Sequence, residues 1–297
     1  MLARNGGRNG LPTVYAYQDA GVLVAGTRWE PRRVFCTRTA NHRDAPGQLH
    51  VVKFRRTGDP ASAAASISEV VCHVLLNALG VRTFAAAFVR VSVSMARRYA
   101  RHPDVGYSIP AGLHFGTVYR PDVIFVDPLR AAPLSWDVLA DPSELIAIWA
   151  ADSWLMNLDR AVYGNLILEP GAAGKWHLLA ADQSDCFLGA GALADGSCFE
   201  RASGHGAAAY LPLLEQAFLQ VGVVPLRAIA RRIAGTGEML ATAVARVPEE
   251  WWQEAKIAPQ AVADCLAERA GRIDAIVQLE HWEELTRATE GGHLLGG

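Results

Sequence analysis

No two cysteines in this chain are spaced as CxxC, and the five present (Cys36, Cys72, Cys186, Cys198 and Cys265) are an odd number scattered along its length. That pattern argues against a disulfide framework and a structural zinc site, and a reducing cytosol fits it best. An excess of one charge is also lacking. The 28 Lys and Arg stand against 30 Asp and Glu, a formal net charge of -2, so no basic footprint for nucleic acid or an anionic membrane is present. The amino-terminal stretch MLARNGGRNGLPTV has no continuous apolar core of the signal-peptide kind. The most apolar run, Leu145 to Leu158, is about one core helix long and contains Asp152, so it does not read as a membrane span. Internal repeats and low-complexity tracts are missing. So are Gly-x-Ser-x-Gly and His-Glu-x-x-His, which removes the usual hydrolase and zinc-peptidase signatures. The expectation is a cytoplasmic protein without nucleic-acid or membrane partners.

What remains is an ordinary globular composition, 51% apolar and 20% charged. At 297 residues the chain is long for one core, and one large bilobal domain or two small ones is the natural prior. Its first ten residues are rich in Gly, Asn and Arg and read as disordered. The runs Gly21 to Ala25, Arg33 to Thr37 and Leu49 to Phe54 read as a β-meander. Ile67, Val70, Val71, Val74, Leu75 and Ala78 then fall at helical spacing, with Gly80 as the stop. Strands are expected at Phe84 to Val93 and Leu113 to Tyr119, with a basic helical piece between them. The irregular stretch after Pro121 marks a change from one half to the other. Asp141-Pro142-Ser143-Glu144 opens a helix to about Asn157. A hairpin follows, Asn165 to Leu168 and Trp176 to Ala181, and the rest is amphipathic helix broken at Pro225, Pro248 and Pro259. The class is α+β, with a β-rich half over residues 1–121 and a mainly helical half over 122–297.

The order of these elements carries the chemistry. A strand lysine, Lys53, sits between apolar residues, where an unpaired ammonium is costly. The next helix carries Glu69, a partner that would fix Lys53 and leave it able to hold phosphate oxygens. Two structural readings compete: a solvent-facing Lys53, and a Glu69 that only closes a capping box with Ser66 or decorates a first turn. Asp159, in the loop after an apolar helix, is placed to orient a nucleophile ahead of a metal-binding amide, Asn165. Alternatively Asp159 is a turn residue ion-paired to Arg160, and Asn165 a turn residue entering a strand. Asp182 follows an apolar strand directly, where magnesium would find a hard oxygen; Asp185 rivals it. Ala25-Gly26-Thr27-Arg28 could cap phosphates with backbone N–H groups, or be an ordinary hairpin turn. The tryptophan pairs Trp149/Trp154 and Trp251/Trp252, and His114, read as core.

Taken together, several segments resemble the HipA-like kinase domain, a family related to the persistence-toxin kinase HipA and more distantly to phosphoinositide kinases. They are VVKF (51–54), SEVVCHVLLNALGV (68–81), GLHFG, DSWLMNLDR (152–160), GN (164–165), HLLAADQS (177–184) and PEEWW (248–252), spread over roughly residues 20 to 257. The resemblance implies a bilobal protein-kinase-like fold and transfer of the γ-phosphoryl group of ATP, with magnesium, to a hydroxyl of a protein Ser or Thr. It implies that Lys53 is the ATP-phosphate lysine, Glu69 its helix partner, Gly26 and Thr27 the phosphate loop, and Asp159 the catalytic aspartate. Asn165 and Asp182 would be the metal ligands. Two positions depart from the pattern: Ala161 stands where the family has a histidine, and Asn165 lies one residue further from Asp159 than is common. A pseudokinase acting as a nucleotide-binding or interaction module, and a small-molecule kinase or nucleotidyl transferase, stay open, as does an antitoxin-like partner.

Overall fold

The computed structural model describes residues 10–24, 27–40, 47–126, 136–162, 164–206, 208 and 213–293. Its amino-terminal part is built from the strands β1 (Thr13–Val22), β2 (Arg32–Thr37), β3 (Gln48–Lys53), β4 (Ala86–Val91) and β5 (Gly112–Val118). Helix α1 (Pro60–Ala78) follows β3, and α2 (Val93–Tyr99) follows β4. The five strands close into a barrel in the order β1-β2-β3-β5-β4, and β4 completes it by running parallel to β1. The period of two along each strand sends Val14, Ala16, Val34, Cys36, Val52, Val89 and Val91 inward to a small core of their own. The interior is tight. A Cβ on Gly116 of β5 would lie 2.7 Å from Val89 Cγ2.

The first strand is not where the run Gly21 to Ala25 suggested. It starts at Thr13, carried by the alternation of TVYAYQDA, in which Val14 and Ala16 are buried, and only its last two residues overlap that run. Gly21, at φ +94, lies at the strand's end. Along β3 the same alternation buries His50 and Val52 and turns Lys53 to the outer face, where α1 covers it.

Helix α1 begins at Asp59, whose carboxylate accepts from the N–H groups of Ala61 and Ser62, with Pro60 as the first helical residue. Glu69 is therefore in the middle of a 19-residue helix, not in a first turn or a capping box. Among the described helices α1 alone is by itself long and apolar enough to cross a membrane, and Leu213–Val221 with Val224–Ala234 reaches that length only as a pair bent by 105°. The faces of α1 are covered here: Ile67, Val70, Val71, Leu75 and Leu76 enter the main core together with the carboxy-terminal helices.

That second part opens with β6 (Ile124–Val126), inside the stretch expected to be irregular, then α3 (Ser143–Leu155), β7 (Leu166–Pro170) and β8 (Trp176–Ala180). The three strands form an antiparallel sheet in the order β6-β7-β8. The helices α4 (Ala190–Asp195), α5 (Ser197–Arg201), α6 (Leu213–Val221), α7 (Val224–Ala234), α8 (Gly237–Ala245) and α9 (Glu249–Ala255) follow. The chain ends in α10 (Pro259–Ala270), α11 (Ile273–Ile276) and α12 (Leu279–His293). Pro225, Pro248 and Pro259 sit at helix starts, where a missing N–H costs nothing. At the start of α3, Asp141 accepts from Ser143 N. Glu144, however, does not reach back to the cap; it accepts from Arg82, His177 and Leu178 N, tying α3 to β8 and to the turn after α1. Trp149, Trp154, Trp251 and Trp252 are buried. His114 is a core histidine, accepting from Arg55 N at Nδ1 and bonded to Pro110 O through Nε2.

Candidate functional site

Residues far apart in sequence converge where β3, α1 and the loop after β8 meet. The Lys53 ammonium donates to Glu69 Oε1 at 2.7 Å and to Ser184 Oγ at 3.2 Å, and it is ion-paired with Asp182. Its three protons are thereby all engaged. The second oxygen of Glu69 accepts from Gln183 N at 3.2 Å, and the preceding residue, Ser68, donates to Gln183 O at 2.6 Å. Helix α1 thus grips the 182–184 loop with two side chains. Asp182 itself has φ +54, a left-handed conformation that costs a non-glycine residue energy and needs the surroundings to hold it. Ser184 does so through two bonds to Asp182 Oδ1, from its N–H at 3.1 Å and its hydroxyl at 2.6 Å.

The second group is built by the end of α3. Met156, at φ +55, stops the helix and releases the loop that carries Asp159. Asn157 Oδ1 accepts from Asp159 N at 2.9 Å, and Asn165 Nδ2 donates to Asp159 O at 2.8 Å and Oδ2 at 2.7 Å. Asp159 and Asn165 are thus hydrogen-bonded to each other. Arg160 does not pair with Asp159. It is buried and forks onto Asp152 of α3 (2.9 and 3.1 Å), and it donates to Asn165 O, Ala181 O and Gln183 Oε1. One guanidinium therefore joins the Asp159 loop, the start of β7 and the residues just after β8. Spacing could have found this pair: an acid inside an apolar helix requires a cation, and Arg160 is the nearest in sequence. Ser184 and Gln183 left no comparable signal.

Electrostatics tie the two groups together. Burial works against the charge of Lys53, and the carboxylates of Asp182 and Glu69 outweigh it, raising the ammonium's pKa. Burial also opposes ionisation of Asp182, but Lys53 and the Ser184 bonds prevail and hold it at about 2. For Glu69 burial wins, and its carboxyl is raised despite Lys53. Burial raises Asp159 as well, followed by the charges of Asp182 and Asp185, against the hydrogen bond from Asn165. Asp159 therefore lies within electrostatic reach of both acids. Among the described residues no group of three or more His, Cys, Asp or Glu side chains is arranged to hold a metal. The available oxygens are instead the Asp182 carboxylate and the Asn165 carboxamide, whose Oδ1 accepts no hydrogen bond among the described residues while its amide is spent on Asp159. Hard oxygens of that type, few in number, suit magnesium bound jointly with phosphate.

Neither Thr27 nor Asp185 is hydrogen-bonded to this cluster. Gly26 falls outside the described residues, and Thr27 is an exposed turn residue whose Oγ1 accepts from Glu30 N at 3.1 Å. Asp185 turns to the start of α4, accepting weakly from Ala190 N at 3.4 Å. Two surface cavities, of about 490 and 660 Å³, are lined by the barrel end around Arg90 and Gly112 and by α8–α10, and by no residue of the cluster.

No family model matches the chain, and no curated protein matches its sequence. Among solved structures, the Helicobacter pylori proinflammatory kinase CtkA is similar with a TM-score of 0.46 at 12% identity, over 88% of this chain and 95% of that one. A structural neighbour is therefore a kinase, and the likeness is too loose to carry an assignment.

Proposed function

We propose that the chain is an ATP-dependent kinase of the HipA-like kind, with an amino-terminal lobe over 1–121 and a carboxy-terminal lobe over 122–297. It transfers the γ-phosphoryl group to a hydroxyl of a protein Ser or Thr. The observation that carries this reading is the joint cluster: Lys53 bonded to Glu69 and Asp182, beside an Asp159–Asn165 pair whose carboxyl feels Asp182. Stability alone does not call for two carboxylates and an ammonium at one spot, because buried ion pairs contribute little net. Phosphoryl transfer does call for them.

In this reading the nucleotide's phosphates take the Lys53 protons now given to Asp182, while Glu69 keeps the ammonium in place. Asp182 and Asn165 are the residues that would hold magnesium, which when bound neutralises phosphate charge. Asp159, raised above the ordinary carboxylate range by burial and by its acidic neighbours, accepts the acceptor's proton. The hydroxyl oxygen bonds to the γ-phosphorus, the bond to the β-phosphate oxygen breaks, and ADP leaves.

A second reading, a pseudokinase that serves as a nucleotide-binding or interaction module, draws on the saturation of Lys53: its three donors are satisfied within the protein. A third keeps the fold for a small-molecule kinase or nucleotidyl transferase. Incubation with γ-labelled and α-labelled ATP separates all three. Label from the γ position on protein, abolished in Asp159→Ala, supports the kinase. Label from the α position supports nucleotidyl transfer, and nucleotide-dependent melting without any transfer supports the pseudokinase.

A further inference from the structure

The loop that presents Asp159 is built inside out. Its polar residues Asn157, Arg160 and Asn165 are buried, while its apolar residues Leu158 and Val162 are 54% and 51% exposed. The inversion has a local cause. Met156 ends α3 in the left-handed region, and the polar side chains then turn in to hold the loop. Asn157 donates to Asp152 Oδ1 at 3.0 Å and accepts from Asp159 N, Arg160 forks onto Asp152, and Asn165 donates to Asp159. Asp159 O accepts from Val162 N at 3.0 Å, and Val162 O from Asn165 N at 3.2 Å, so the backbone of Val162 is fixed to that of Asp159. Among the described residues neither Leu158 nor Val162 joins a hydrophobic core, whereas Ala161 packs against the main one. Single exposed apolar side chains are ordinary. These two stand immediately before and three residues after a half-buried carboxylate, where an apolar surface marks a place for a partner. Over residues 157–162 the ionisable side chains are Asp159 and Arg160, and Arg160 is buried. The outer side of the loop therefore recognises by burial more than by charge.

We propose that Leu158 and Val162 form an apolar lip that selects the acceptor: a polypeptide segment whose Ser or Thr hydroxyl is flanked by aliphatic or aromatic residues. This assignment rests on the kinase reading above and names the substrate class of that site. Apolar flanks cover both side chains and remove them from water, seating the hydroxyl between them at Asp159. Charged flanks would surrender hydration against the same surface without gaining a partner. The lip thus favours one class of acceptor and disfavours the other. The rival class is a basic segment, drawn by the charges of Asp182 and Asp185 that are felt at Asp159.

The full chain is incubated with γ-labelled ATP, magnesium and one of three peptides that carry a single Ser flanked on both sides by Leu and Phe, by Arg, or by Glu, all with the same Gly-Asn tails. Wild type, Leu158→Ala, Val162→Ala and Leu158→Met are compared. Melting by circular dichroism checks that each is folded, as expected for side chains outside the cores. Wild type should prefer the apolar peptide to both charged ones by about tenfold or more in kcat/KM. Leu158→Ala and Val162→Ala should each lower kcat/KM for the apolar peptide roughly 3- to 20-fold more than for either charged peptide, chiefly through KM. Leu158→Met, which keeps the apolar volume, should retain most of the preference. Equal use of the three peptides by wild type, preference for the Arg peptide, or equal losses on all three overturns the lip. ATP consumption without label on the apolar peptide also overturns it and leaves the kinase reading standing. If ATP is not consumed, the kinase reading has failed, and calorimetric titration with the same peptides decides the lip alone: binding of the apolar peptide that weakens in Leu158→Ala upholds it, and no binding, or binding unchanged in Leu158→Ala, overturns it.

Discussion

Replacing Lys53 with methionine leaves Glu69 and Asp182 facing one another without their cation. In the native chain Asp182 is held at about 2 against an ordinary 3.8, which at about 1.4 kcal/mol per pKa unit is on the order of 2 kcal/mol. A depressed carboxyl contributes above its ordinary value, so this stabilisation is present at neutral pH and is lost as pH falls from about 4 towards 2. Glu69, raised by burial, has the opposite sign: its ionisation costs stability, and the cost is relieved as pH falls. Lys53, raised by its partners, contributes fully below its ordinary value and loses that contribution only in strong alkali. Removing the ammonium strands two carboxylates, and breaking a buried pair in this way costs about 3–5 kcal/mol. Asp182 then moves above its ordinary value, so both acids become easier to protonate. Lys53→Met should therefore lose about 3–5 kcal/mol at pH 7, and the deficit against wild type should shrink steadily towards pH 4. Urea unfolding followed by tryptophan fluorescence across that range measures it. A deficit below about 1 kcal/mol, or one that does not change with pH, would show that the three side chains are not coupled as described.

Arg160→Met should cost about 3–5 kcal/mol, because Asp152 is fully buried and the guanidinium also serves three acceptors around the hairpin; the same unfolding assay reads it, and a loss under 1 kcal/mol contradicts the clamp. Gly116→Ala should cost about 1–3 kcal/mol, since its Cβ would press on Val89 inside the barrel; a neutral effect on the urea midpoint would show that the barrel gives way there.

Much of this was legible before any coordinates. Strand alternation around VVKF and helical spacing from Ile67 to Ala78 identified the elements carrying Lys53 and Glu69, because both periods are dictated by which face is buried. The hairpin with Asn165 and Asp182 was legible for the same reason. What failed did so for physical causes. Three small or polar residues, Ala16, Gln18 and Asp19, hid β1, where parallel pairing with β4 rather than β-propensity closes the barrel. Short β6 owes its existence to the neighbouring β7. A capping box at Ser66 competed with the Lys53 partnership for Glu69 because the real start of α1, Asp59-Pro60, lies in an alanine- and serine-rich stretch without a periodic signal. Arg160 reads locally as a partner of Asp159; its partner Asp152, eight residues back, is legible only from that acid's place inside an apolar helix. Ser184 holds Asp182 through a loop conformation that no spacing rule announces.

Crystals of the full chain grown with a non-hydrolysable ATP analogue and manganese, which scatters anomalously and stands in for magnesium, put the central claim to its most direct test. The metal peak should fall between Asp182 and Asn165, with the phosphates on Lys53 and the Asp159 carboxyl facing the γ-phosphate. A nucleotide bound elsewhere, or a metal with neither Asp182 nor Asn165 among its ligands, would contradict it.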